Sequence, residues 1–141
     1  MFDIHLESQR VLHEDGEFWR GSITLGQYSE QFLAAAWLWP RTRYEEQWRG
    51  AASALVQGAA RSAFITSFSH PDAHHNVIWP AWREGNRVHI QNRLLLREHL
   101  PAVLDPERIE EFVGERRVTS DEGEAISDWT VTLEEIRAFA A

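Results

Sequence analysis

The chain has 141 residues, enough for one domain spanning 1–141 with a core that needs no staples, and it contains no cysteine, which excludes disulfides, thiolate metal sites and cysteine nucleophiles. All fourteen basic residues are arginine, so lysine-based Schiff-base and general-base chemistry is excluded too. The net charge of −8 is concentrated: residues 1–104 carry eleven acidic and ten basic groups, whereas residues 105–141 carry eleven acidic and four basic ones, a net of −7. A field of this kind repels nucleic-acid phosphate and attracts a basic partner.

No apolar run is long enough for a bilayer span, and MFDIHLESQR lacks the basic start and apolar block of a signal peptide. The expected location is the cytoplasm, with no membrane contact.

Phe2-Asp3-Ile4-His5-Leu6 alternates apolar with polar and predicts a strand, as does Phe18–Leu25 with Ile23 and Leu25 on one face. Tyr28–Trp39 is open between helix, which the alanines at 34–36 favour, and an extended continuation. After Pro40 the pattern Thr42-x-x-Glu45 predicts a capping box. Tyr44, Trp48, Ala51, Ala52 and Leu55 then share one helical face, and Gly58 stands where a C-terminal cap belongs.

Ser62–Ser69 predicts a buried strand, followed by the loop His70–His75. Asn76–Asn92 predicts a β-hairpin turning at Glu84-Gly85-Asn86, with Trp79 and Trp82 on opposite faces unless a bulge intervenes. An outer-face Trp points to a recognition surface. Leu94–Leu96 is a candidate extension of the second hairpin strand. Asp105-Pro106 opens a short helix with Ile109 and Phe112 inward, ending near Gly114. Asp121–Glu124 predicts a turn and Ala125–Val131 a strand. Thr132-x-x-Glu135 is a second capping box, opening a helix that packs Leu133, Ile136 and Phe139. The sum is an α+β fold: a predominantly antiparallel sheet of about five to six strands with two to three helices on one side.

Few residues point to chemistry. His70, His74 and His75 with Asp72 are possible ligands for zinc, copper or nickel, but Pro71 after a strand makes the segment a loop, and no histidine–glutamate zinc pattern is present. The adjacent pairs Glu45/Glu46 and Glu110/Glu111 diverge on a helix and cannot act as acid–base pairs. No serine lies in a Gly-x-Ser-x-Gly context, and no glycine-rich phosphate loop occurs. The expectation is a non-enzymatic chain with no cofactor and no metal. The rivals are a small metal-binding protein or enzyme using the His70–His75 loop, and a stand-alone interaction domain.

Several pieces recur in a known order: Tyr44-x3-Trp48 on a helix, the Ser62-Ala63-Phe64 strand, Trp79-Pro80, the Arg83-Glu84-Gly85 turn, Val88-x-Ile90-Gln91-Asn92 and Ile126-Ser127-Asp128-Trp129. From about Ile23 to Phe139 the chain resembles the CdiI-type immunity proteins of contact-dependent growth inhibition systems. It departs from that pattern at Ser69-His70, where a tyrosine and an acid are common, and at His89, where tyrosine is usual.

The resemblance implies a cytoplasmic antitoxin that binds the C-terminal toxin domain of a large CdiA-type effector, often a nuclease. A cationic nuclease surface would complement the acidic charge. On charge, the first candidate contacts are Asp105, Glu107, Glu110, Glu111, Glu115, Asp121, Glu122 and Glu124. A second set, from the outer side of the hairpin, is Trp82, Arg83 and His89.

Overall fold

The structure, a computed structural model, describes residues 1–141. Phe2, Ile4 and Leu6 alternate inward along β1 (Phe2–His13), opposite Leu25, Ile23 and Gly21 of β2 (Gly16–Leu25). The open segment after β2 is extended: β3 (Tyr28–Ala35) pairs antiparallel with β2 and completes a three-stranded sheet in the order β1-β2-β3. Cross-strand pairing with β2, a long-range term, overrides the helical propensity of the alanines.

The helix after Pro40 is α1 (Arg41–Val56), with Tyr44, Gln47, Trp48, Ala51, Ala52 and Leu55 buried. Its start differs from the expectation. Pro40 takes the N-cap position with no side-chain bond, so Thr42 lies inside the first turn and the Thr42–Glu45 box does not form. Glu45 instead lies 3.7 Å from Arg41. The end agrees: Gly58 at φ +115 follows the cap, with Gly58 N–H donating to Leu55 O at 3.2 Å and Ala59 N–H to Ala54 O at 2.9 Å, a Schellman arrangement.

The second sheet has five strands: β4 (Arg61–Ser67), β5 (His75–Glu84), β6 (Arg87–Ile90), β7 (Arg93–Leu96) and β8 (Trp129–Thr132). Its order is β4-β5-β6-β8, with β7 also on β5. Gly85 at φ +61 makes the two-residue turn of the hairpin. Strands β6 and β7 lie along the same edge of β5 in one register, with Ile90 opposite Ala81 and Arg93 opposite Ile78. They are separated because Pro80 accepts from Gln91 N–H at 3.1 Å but has no N–H to return. That gap frees the Gln91 side chain for other work.

The α+β class and antiparallel pairing agree with the sequence, but eight strands divide between two sheets instead of forming one. The predicted strand from Ala125 shortens to Trp129–Thr132, because Asp128 is bonded sideways to Arg116 and Gln91. The second capping box forms as expected: Thr132 Oγ1 accepts from Glu135 N–H at 3.1 Å and Glu135 Oε1 from Thr132 N–H at 3.3 Å, opening α2 (Leu133–Ala140).

A seam joins α1 to the free edge of β4. Gln47 Nε2 donates to Ala63 O and its Oε1 accepts from Ile65 N–H, both at 2.8 Å. Trp48 Nε1 donates to Ile65 O at 2.7 Å, and the Tyr44 hydroxyl accepts from Phe68 N–H at 2.9 Å while donating to Ala35 O at 2.8 Å. Three side chains within about one helical turn therefore act as a substitute strand, which blunts an edge that would otherwise invite foreign pairing. One continuous core of 29 buried residues spans both sheets and both α-helices. No helix is long and apolar enough to cross a membrane.

Candidate partner-binding site

Between β7 and β8 the chain makes a long excursion over the outer face of the five-stranded sheet. Asp105 caps a 3-10 helix, Pro106–Phe112, by accepting from Glu107 N–H at 3.0 Å, and Ile109 and Val113 are buried beneath it. The short helix expected from Asp105-Pro106 is thus present, in 3-10 form. The excursion is fastened by side chains from the sheet. Trp82 Nε1 donates to Gly114 O at 2.9 Å, Arg93 Nη1 to Val113 O at 2.8 Å, and Gln91 Nε2 to Arg117 O at 2.8 Å.

Beyond this root a small finger projects. Ile126 N–H donates to Val118 O at 2.9 Å, Thr119 bridges Ala125, and Gly123 at φ +83 closes the tip, the turn expected at Asp121–Glu124. Arg116 clamps the base through two bonds to Asp128, at 3.0 and 2.9 Å, and Gln91 adds a third at 2.8 Å. Burial pulls the Asp128 carboxyl up, but the hydrogen bonds from Arg116 and Gln91 and the charges of Arg116 and His89 outweigh it and hold it below its ordinary value.

The eight acidic candidates divide by what they touch. Asp105 is spent on the cap, and Glu107, Glu111 and Asp121 pair with Arg43 (2.6 Å), Arg108 (3.4 Å) and Arg117 (2.5 Å). The hydrogen bond from Arg117 and then its charge hold the Asp121 carboxyl below the usual range. Glu110, Glu115, Glu122 and Glu124 are exposed and form no ion pair. A cleft of about 260 Å³ lies between α1 and the 3-10 helix, walled by Glu46 and Glu110 with the Arg43–Glu107 pair and Ser62. Glu46 is not among the contact candidates read from the sequence, because only the tertiary placement of α1 sets it opposite residues 106–110. Chemically, the surface is a set of uncompensated carboxylates on a fastened scaffold, suited to a cationic partner.

The sequence profile of the CdiI N-terminal domain family matches residues 34–139, three quarters of the chain. The chain belongs to this family. A solved structure described as a CdiA-CT/CdiI toxin and immunity complex from Enterobacter cloacae has the same fold, with a TM-score of 0.90 over 99% of this chain and 96% of that one at 23% identity. No curated protein matches the chain.

The residues that carried the CdiI resemblance mostly build the fold. Trp79 is buried beside Trp129, with ring centroids 5.6 Å apart, and Tyr44 and Trp48 form the α1–β4 seam. Pro80 opens the gap through which Gln91 reaches Asp128.

The second candidate set is less open than the sequence suggests. The outer face of the hairpin was expected to be open, but the excursion covers it. Trp82 is 7% exposed and bonded to Gly114, and His89 is 8% exposed with Nδ1 2.9 Å from Thr130 Oγ1. Arg83 reaches the C-terminus of α1, donating to Leu55 O at 2.8 Å and Val56 O at 3.3 Å, where its positive charge complements the negative end of the helix dipole. In this CdiI chain all three residues serve the fold.

The His70–His75 loop is likewise engaged locally: His70 Nδ1 accepts from Asp72 N–H at 3.0 Å, and Asp72 pairs with Arg97 at 2.6 Å. No group of three His, Cys, Asp or Glu side chains is placed to hold a metal ion.

Proposed function

We propose that this chain is an immunity protein that binds and blocks the C-terminal toxin domain of a cognate CdiA-type effector, through the acidic surface of residues 105–124. The observation that carries the reading is the rigidly rooted set of unpaired carboxylates at Glu110, Glu115, Glu122 and Glu124 in a chain of the CdiI family. The family relation supports the toxin as partner. The charge supports a toxin with a cationic face, as a nuclease must present to phosphate.

Inhibition is stoichiometric: the chain needs no catalysis, metal or cofactor, and acts in the cytoplasm as a single domain. Opposite charge steers the encounter, raising association from roughly 10⁵–10⁶ toward 10⁸–10⁹ M⁻¹s⁻¹ at low salt. Cells producing the adjacent CdiA-type toxin domain should survive only when this chain is co-produced, and the two proteins should co-purify. A toxic domain that is neither bound nor neutralised contradicts the proposal.

A further inference from the structure

A second surface stands apart from the acidic cleft, where the two sheets meet. Tyr28 of β3 stacks on Trp129 of β8, with centroids 4.6 Å apart and planes 22° off parallel, and Trp129 leans on the fully buried Trp79. This aromatic ladder runs from the core to the surface, where Tyr28 is 36% exposed. Beside it opens a notch of about 550 Å³, lined by Tyr28, Glu30, Asn92, Leu94, Ile126 and Trp129 among others.

Glu30 is held in the notch by neutral donors, the Tyr28 hydroxyl and Asn92 Nδ2 (3.3 Å), and forms no ion pair. A half-buried carboxylate oriented in this way, next to an exposed π-face, is a prepared seat for a cation. Leu94, 53% exposed, and Ile126 supply apolar walls. Ile126 also makes the bond that closes the acidic finger, so the notch is continuous with the proposed toxin-binding surface.

We infer that the notch receives an arginine side chain of the toxin domain, its guanidinium stacked on Tyr28 and paired with Glu30, and its aliphatic stem against Leu94 and Ile126. Arginine fits better than lysine because its planar fork both stacks on an aromatic ring and meets a carboxylate through two bonds. The rigid ladder keeps the ordering cost low, and a desolvated aromatic–arginine contact is the usual composition of a binding hot spot. This inference rests on the toxin being the partner.

The test uses the full chain and the cognate toxin domain. Glu30→Gln and Leu94→Lys both change surface side chains, and each should weaken binding by about tenfold to a hundredfold. The control Glu7→Gln removes one charge elsewhere on β1 and should leave affinity within about twofold. Arginine-selective modification of the complexes, read by mass spectrometry, should find at least one toxin arginine protected by the wild-type chain and reactive with Glu30→Gln. Wild-type affinity and protection in both notch variants would overturn the notch while leaving the immunity reading intact. Failure of the wild-type chain to bind would remove both.

Discussion

Replacing Gln47 with leucine removes the two bonds that close the free edge of β4 while nearly preserving volume. The side chain is 8% exposed, and its partners Ala63 O and Ile65 N–H, each at 2.8 Å, lie beneath α1. Each stranded buried backbone group costs about 1–3 kcal/mol. Leucine returns about 1 kcal/mol of that through added apolar burial. The net loss is about 1–5 kcal/mol, a fall in Tm of about 3–17 °C for a chain of this length.

Urea denaturation followed by Trp fluorescence should show a lower midpoint with an unchanged slope, since the surface exposed on unfolding stays the same. Gln47→Glu sharpens the case. At pH 7 its carboxylate accepts from Ile65 but faces Ala63 O with no proton to donate. It should be less stable than the leucine variant at pH 7 and recover on acidification, as protonation restores a donor. If Gln47→Leu unfolds within about 1 °C of the wild-type chain, the helix-to-edge seam is not what closes β4.

Three further outcomes follow from the packing. Asp128→Asn should cost about 1.5–3 kcal/mol at pH 7 by weakening the Arg116 clamp. Because the folded-state pKa of Asp128 is lowered, its stabilisation is present above the unfolded value near 4 and is lost as pH falls through the folded value, so the two proteins should converge in urea midpoint toward pH 3; a constant gap would contradict this. Gly21→Ala would set a Cβ 2.4 Å from Phe32 Cζ and 2.8 Å from Leu6 Cδ2. A loss of about 1–3 kcal/mol by calorimetry is expected. Arg83→Met should lose about 1–2 kcal/mol at the α1 C-terminus and leave toxin affinity unchanged, whereas a binding defect in a folded variant would return Arg83 to the contact surface.

Much of the fold was legible where local signals agree with tertiary packing. The face Tyr44–Leu55, the Gly58 stop, the Asp105 cap and the Thr132–Glu135 box all appear where the sequence puts them. The capping pattern at Thr42 misleads because Pro40 starts the helix two residues earlier than a Thr42 cap allows. The division into two sheets and the sideways use of Asp128 depend on contacts between distant segments, which periodicity does not carry.

The same distinction divides the candidate site. Charge clustering in residues 105–124 is visible from composition. Which carboxylates remain unpaired is not, since Glu107 is paired with Arg43 from α1, 64 positions away. Trp82 and His89 look like outer-face residues until the excursion that covers them is in place, and Arg83 until the end of α1 is beside it. The Tyr28–Trp129 ladder joins strands from different sheets, so neither residue alone suggests it.

The proposed immunity function requires an acidic surface on this CdiI-family chain to capture a cationic toxin domain. Its most direct test is the association rate with the cognate toxin domain across a salt series, for the wild-type chain and for a variant carrying glutamine at 110, 115, 122 and 124. Binding should be nanomolar or tighter, association should slow as salt rises, and the variant should lose a further factor of about ten or more in association rate at low salt, with dissociation changed less. An association rate indifferent to both salt and the four substitutions would contradict it.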